Sequence, residues 1–480
     1  MRLRLTFPSL AALCLPLAVA SLSSCASTFA QQSSPAVASA ARTTPTTEST
    51  RPVPWVNQKL ENGLEVIVFP DHSVPLVTVE MAIRMGAFRE PPEWNGYSHL
   101  YEHMFFKENR AIAAGEAYLA DIGQRGITYN GTTREEVATF YLTALPENFP
   151  LMMRFLRDAA RYPSFNPQQL EREREIVVEE VTRNESNPFF WLNENLNRQL
   201  FYGQASRKYP GGRPAVLRAA TPEKLRQWQQ QYLIPNNAAL IVTGDVEPAE
   251  AMRRAREFYG DWARGDEAAL AQNVPKFTPV EKNSALIAEQ PVENVIVQVG
   301  WQGPSIGVDN AATYAADVFS FIVSQENSRF RRALIDSGLA TNAGVGYYTQ
   351  RYTGPITLTL QTTPEKFRAA YKAALAEVAR FASPGYFTDE ELENAKVAVA
   401  ADDLYSREKP SEYAHTLAFW WASTGVDYFR EYQPALRRVT REDIARYVKD
   451  YMQKPRVTVV MLSPEEQKQL QLKPEELTAP

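Results

Sequence analysis

Four histidines occur in 480 residues, and two of them fall in the run His99-Leu100-Tyr101-Glu102-His103. Positions four apart on an α-helix lie one above the other, so the imidazoles of His99 and His103 face the same way and can grip one metal ion. Glu102 sits on nearly the same face. A carboxylate there is placed to take a proton from water whose pKa the metal lowers, which makes hydroxide available for attack on a peptide carbonyl. The order of residues, inverted relative to the commoner zincin motif, is a catalytic zinc signature. The competing reading is a surface helix with two unrelated histidines and a solvated glutamate, which in a chain so poor in histidine would be a rare accident.

A helix carrying such a motif needs a body to hold it. Alternating runs such as Glu65 to Phe69, Val77 to Arg84 and Thr139 to Leu145 predict a mixed or antiparallel sheet, with the long helical stretches covering one face. The chain also repeats. Pro146-Glu147-Asn148-Phe149 answers Pro364-Glu365-Lys366-Phe367, and Thr221 to Tyr232 answers Thr440 to Tyr451 at an offset of 219 residues (Thr221 to Thr440). In both copies a threonine caps a helix that leads to a β-rich run, Ala238 to Thr243 and Val457 to Leu462. The fold class is therefore α+β: two tandem homologous domains, each a mixed or antiparallel sheet covered by helices. The first spans residues 54–270 and the second 284–470, with a polar join near Arg264 to Asn283 that contains Pro275 and Pro279.

The motif and its surroundings resemble the pitrilysin family of inverted-motif zinc metallopeptidases, in particular its bacterial processing-peptidase-like members. The resemblance covers nearly everything after Pro54 and includes Asn62-Gly63-Leu64, the stretch Gly96 to Lys107, and Tyr232 to Asp245 with Pro235, Asn237 and Gly244. It implies half of a four-domain clamshell. A catalytic zinc needs a third protein ligand, and the resemblance supplies a glutamate from a later helix. In Leu170 to Glu180 the matching position is Glu180, 77 residues past His103, although adjacent Glu179 leaves a one-residue choice. Glu173, two turns earlier on the same face, is by resemblance a carboxylate supporting the ligands. Thr128 to Thr133 matches the family's edge strand beside the zinc, where a peptide substrate adds as a further strand; Asn130 and Gly131 would position it there. Taken alone, Asn130-Gly131 reads equally well as a turn. His72 and His415 have no motif around them and read as ordinary structural or surface residues.

In the second copy the counterparts of His99, Glu102 and His103 fall near Asp317, Ser320 and Phe321, so no metal site is expected there. Self-sufficient relatives carry an arginine and a tyrosine in this domain to bind the substrate carbonyl. Here the matching positions are Leu334 and Thr341. Either the register is off, since Arg331, Arg332, Tyr347 and Tyr348 are near, or the pair comes from another subunit. The second reading predicts a homologous partner subunit that lacks the histidine motif and supplies the arginine and tyrosine.

Composition narrows the function classes further. With 44% apolar residues and a net charge of -5, and with no basic block, the chain lacks the electrostatic footprint of a nucleic-acid binder. Residues 1–25 read as an export signal ending in Leu22-Ser23-Ser24-Cys25, which resembles a lipoprotein box with Cys25 as the lipid anchor; ordinary cleavage after Ala30 is the alternative. Residues 26–53, rich in Ser, Thr, Pro and Ala, form a flexible tether. Cys14 and Cys25 are the only cysteines, so the body forms no disulfide. Contact with a membrane would run through the anchor alone. The expected protein is exported to the cell envelope or periplasm and binds one Zn2+ per chain. Peptides or unfolded segments are its substrates. A non-proteolytic assembly or chaperone subunit is the second reading, and the intact motif argues against it.

Overall fold

A computed structural model describes residues 55–110, 122–272, 274–405 and 407–479. The signal segment with Cys25, and the tether 26–53, lie outside these. In the first half, β1 (Val56–Lys59), β2 (Glu65–Pro70), β3 (Val77–Ile83), β4 (Thr128–Thr133), β5 (Ala138–Ala144) and β6 (Ala238–Gly244) form one sheet in the order β1-β2-β6-β3-β5-β4. Only β2 and β6 run parallel. The second half repeats the arrangement with β7 (Ser284–Glu289), β8 (Val295–Gln302), β9 (Asn342–Tyr347), β10 (Pro355–Thr362) and β11 (Val457–Leu462), ordered β7-β11-β8-β10-β9 with β7 and β11 parallel. Stripped of β1, the two sheets have the same topology, which is the repeat seen in the sequence carried into three dimensions.

The first half carries the helices α1 (Tyr97–Phe105), α2 (Phe149–Arg161), α3 (Pro167–Glu185), α4 (Pro188–Leu200) and α5 (Pro222–Tyr232). The threonine cap expected at Thr221 is present, its hydroxyl accepting from the Lys224 amide at 3.3 Å. At Thr440 a full capping box forms with Asp443. The second half adds α6 (Asn310–Ser324), α7 (Phe367–Arg380), α8 (Asp389–Tyr405) and α9 (Pro410–Ser423).

Helices were expected on one face of each sheet, yet both faces are covered, and the second cover comes from the other half. Helix α9 lays Tyr413, Ala414, Leu417, Ala418 and Trp421 against Ile67, Phe69, Ala82, Ala239 and Ile241 of the first sheet. In exchange, α4 lays Leu192, Leu196 and Leu200 against Ile296, Val457, Val459 and Met461 of the second. All seven residues of β3 are buried in consequence. Its polar members, Thr78 and Glu80, point beneath α9 where simple alternation would place them in water. Polar clasps fix this exchange: Trp421 Nε1 donates to Glu65 at 3.0 Å, and the Arg84 guanidinium lies 3.9 Å over the Trp421 ring.

Candidate metal centre

Helix α1 forms because Tyr97, Leu100, Tyr101, Met104 and Phe105 make a stripe at helical spacing that buries into the first core, which turns His99, Glu102 and His103 to the opposite side. Its start has no local side-chain cap. Instead the buried Glu90 carboxylate accepts from the Gly96 and Ser98 amides, each at 2.7 Å. Burial pushes the Glu90 acid up, and these donors oppose the rise. The cap places an acceptor at the positive end of the helix.

The neighbouring helix α3 is capped by Asn166, which accepts from the Gln168 amide at 2.9 Å. It buries Leu170, Glu173, Val177 and Val181 in one stripe. Glu173 and Glu180, two turns apart, therefore both look toward α1. Glu175 and Glu179 are exposed on other faces of the helix. Glu180 Oε2 lies 3.7 Å from His99 Nε2 and 3.6 Å from His103 Nε2, and the three ligand atoms fall within 4.8 Å of one another. Bonds of about 2.0–2.1 Å to a tetrahedral zinc set ligand atoms about 3.3–3.4 Å apart, so the spacing fits that ion with little adjustment.

The far ring nitrogens are also engaged. His99 Nδ1 is 3.4 Å from the Gly211 carbonyl oxygen, which can only accept, so this pairing puts the proton on Nδ1 and the lone pair on Nε2. His103 Nδ1 is 3.3 Å from Glu173, and Lys107 Nζ holds the other Glu173 oxygen at 2.8 Å. Burial opposes ionisation of Glu173, but His103 and Lys107 outweigh it and hold its pKa below the usual carboxylate range. The hydrogen bond to His103 likewise lowers Glu180. For His103 itself, burial disfavours the charge, yet Glu173, Glu180 and Glu102 together raise its pKa to about 9.

Glu102 is not among the three ligands. Its Oε2 accepts from the Thr133 hydroxyl at 2.7 Å, and a Cβ placed on Gly131 would come within 2.8 Å of Glu102 Cγ. Gly131 is thus the residue that lets the edge strand β4 press against the carboxylate. Successive strand residues face opposite ways, so Asn130 turns its side chain to the other side of the sheet, and its Oδ1 accepts from the Gly131 amide at 2.9 Å. Strand β4 ends the sheet, and its outer edge has no strand partner among the described residues.

No other three-residue group of this kind gathers among the described residues. In the second half Asp317 is half-buried on α6 and accepts from the Tyr432 hydroxyl at 2.6 Å; desolvation of its carboxyl drives its pKa up to about 7. Leu334 is fully buried in the second core, and Thr341 bonds only the Gln361 backbone. Tyr347 donates to the Pro304 carbonyl and Tyr348 to Glu135, while Arg332 donates to the Asn327 carbonyl.

Three contributors escape sequence reasoning. Lys107 carries a signal, being one turn past His103 on the same face, but Glu90 and the Gly211-Gly212 loop do not. Gly212 has φ +86° and packs back to back on Gly96, where an added Cβ would stand 2.5 Å from the Gly96 Cα. Gly212→Ala is therefore expected to cost at least about 2 kcal/mol through strain and displacement of the loop that holds His99. Gly203→Ala, at φ +76° with nothing within 4 Å, meets only the backbone term. Thermal melting and zinc uptake of the two variants check this: equal losses would show that the close approach is unimportant.

Known proteins are similar to this chain in sequence and in fold. Residues 66–209 match the sequence profile described as insulinase (peptidase family M16), and residues 219–399 match the profile described as peptidase M16 inactive domain. An uncharacterized zinc protease, YmxG of Bacillus subtilis, is 25% identical over 353 residues, covering 72% of this chain and 83% of that protein. Zinc protease PqqE of Helicobacter pylori is 20% identical over 410 residues, covering 84% and 92%. Among solved structures, a protease from Helicobacter pylori superposes with a TM-score of 0.77 at 19% identity, covering 86% of this chain and 99% of that one. The first half of the periplasmic protease PqqL from Escherichia coli gives 0.72 at 16%, covering 88% and 95%. These likenesses show a shared fold, and together with the two adjoining profiles they place the chain in peptidase family M16, the insulinase family, with the inverted histidine motif intact.

Proposed function

We propose that this chain is a zinc-dependent endopeptidase that cleaves peptides or unfolded segments in the bacterial cell envelope. The observation that carries the reading is the meeting of two imidazole nitrogens and one carboxylate oxygen within 4.8 Å, beside a glutamate that is free of ligand duty. His99, His103 and Glu180 would hold a zinc ion, which when bound would supply Lewis acidity to the scissile carbonyl and to a water. Glu102 keeps Oε2 against the Thr133 hydroxyl, which leaves Oε1 to take a proton from the attacking water and pass it to the leaving amine. The peptide backbone adds to the open edge of β4, flanking Asn130 and Gly131, held by main-chain hydrogen bonds. Glu173 and Lys107 fix the ring of His103. The names of the relatives, zinc proteases, support the choice of metal.

Proton competition gives this centre a definite pH dependence. Without metal, His103 stays protonated up to about pH 9, whereas a ligand must be neutral at Nε2. Zinc affinity is expected to rise about tenfold per pH unit from pH 7 and to level off near pH 9. Competition against a chelator of known protonation behaviour reads the slope, and a flat profile would show that His103 gives up no proton when zinc binds.

Leu334 and Thr341 leave the chain without its own carbonyl-binding arginine and tyrosine, and we assign that pair to a homologous partner subunit lacking the motif. The alignment to full-length PqqL covers 49% of that chain, which is consistent with a working unit twice this size. Purified alone, the chain should hydrolyse a quenched fluorescent peptide at least about tenfold more slowly than with its partner. Full activity that the partner does not change would refute the assignment. The export signal ending at Cys25, and the description of PqqL as periplasmic, support an envelope location with lipid anchoring.

A further inference from the structure

One histidine outside the metal centre reaches the strand on which the proposed substrate would lie. Glu80 sits in the middle of β3 with none of its surface exposed. Its Oε1 is 3.0 Å from Nδ1 of His415, which comes from α9 in the second half, 335 residues further along the chain. The other ring nitrogen, Nε2, is 3.3 Å from the hydroxyl of Thr132 on β4. Thr139 on β5 closes the group, its hydroxyl lying 3.1 Å from that of Thr132 and 3.4 Å from His415 Nδ1.

Two adjacent residues of the edge strand are thereby gripped from opposite sides of the sheet. Thr133 donates upward to Glu102, and Thr132 meets His415 below. An edge strand is paired along one side only, so contacts above and below it decide how firmly its free edge is set. His415 is half-buried, and its ring meets Glu80, Thr132, Thr139 and the ring of Tyr141, while Ala414, Leu417, Ala418 and Trp421 of the same helix pack on the apolar part of the sheet. A carboxylate and an imidazole paired beside such an apolar interface contribute little stability compared with apolar side chains of similar volume, but they impose direction. The described residues of the second half gather no metal-holding group, and His415 gives that half a contact with β4.

We infer that His415 and Glu80 are positioning residues: through Thr132 they hold β4 at the height over Glu102 that an added peptide strand requires. The inference rests on the peptidase reading for its kinetic consequence, though not for its structural one. Thr132→Val removes one hydroxyl at constant shape, and Glu80→Met combined with His415→Leu replaces the pair by apolar groups. With a quenched fluorescent decapeptide, both variants are expected to raise KM about five- to tenfold, the effect of one lost hydrogen bond, while kcat changes less than about twofold and zinc content is unchanged. Thr132→Val added to the double substitution should bring a smaller rise than it brings alone, because the His415 partner of its hydroxyl is already gone and only Thr139 remains. Hydrogen exchange supplies a readout that needs no turnover: the amides of Thr128–Thr133 should exchange faster in both variants, with the melting temperature of the double substitution close to that of wild type. Unchanged KM and unchanged exchange would overturn the inference, as would a KM rise matched by loss of zinc and of thermal stability. If the unaltered protein cleaves no peptide, the peptidase reading fails by itself and the exchange measurement still decides the role of His415.

Discussion

Glu102→Gln will bind zinc as the unaltered chain does and will lose about a thousandfold or more in kcat, within the range of two to four orders of magnitude that a positioned general base contributes. Glutamine keeps the shape of the side chain, so the close contact with Gly131 is preserved, and its amide oxygen can still accept from the Thr133 hydroxyl. What it cannot do is take up a proton. Because Glu102 stands outside the group formed by His99, His103 and Glu180, the substitution should leave metal analysis untouched. Retention of zinc with near-zero turnover separates loss of the base from loss of the site. Turnover within tenfold of wild type would leave the carboxylate without its assigned task as general base.

The parts of this centre that could be seen in the sequence are those set by local geometry. His99, Glu102 and His103 lie within five residues on one helix, where spacing alone dictates a common face. The capping threonines and the strand runs are equally local, which is why both sheets and their repeat could be anticipated. Elsewhere the decisive partner is distant. Glu90 caps α1 from eight residues before Ser98, with no spacing rule to announce it, and Gly212 meets Gly96 across a loop. His415 looked idle because its partner, Glu80, is 335 residues away and reads as the solvent-facing member of an alternating strand.

The exchange of helices between halves explains why no local pattern announces this contact. Leu192, Leu196 and Leu200 form an evident stripe on α4, and Tyr413, Leu417 and Trp421 another on α9. A stripe states that a helix buries one side but not what lies opposite. In each case that is the sheet of the other half, so a strand with one polar face is nevertheless buried on both. The same exchange carries His415 to Thr132 on β4, giving the second half a direct hold on the edge strand of the first.

Glu180→Ala is expected to leave the chain without stoichiometric zinc at micromolar concentrations, whereas Glu179→Ala should be indistinguishable from wild type. One residue along a helix is a rotation of about 100°, and it separates the two side chains completely. Glu179 is exposed, while the Glu180 carboxylate stands between both imidazoles at 3.6 and 3.7 Å. Removing it deletes one of three protein ligands and leaves His99 and His103 to hold the ion alone, a set too small for a catalytic zinc. Glu173→Gln gives the intermediate case: it touches His103 only at the far nitrogen, besides its pairing with Lys107, so a loss of about ten- to a hundredfold in affinity is expected, with zinc still bound when supplied in excess. The order of the three affinities, measured by chelator competition at one pH, is the discriminating result. If Glu179→Ala stripped the metal and Glu180→Ala kept it, α3 would be turned by one residue from the arrangement described, and Glu173, seven residues earlier on the same face as Glu180, would lose its role with it.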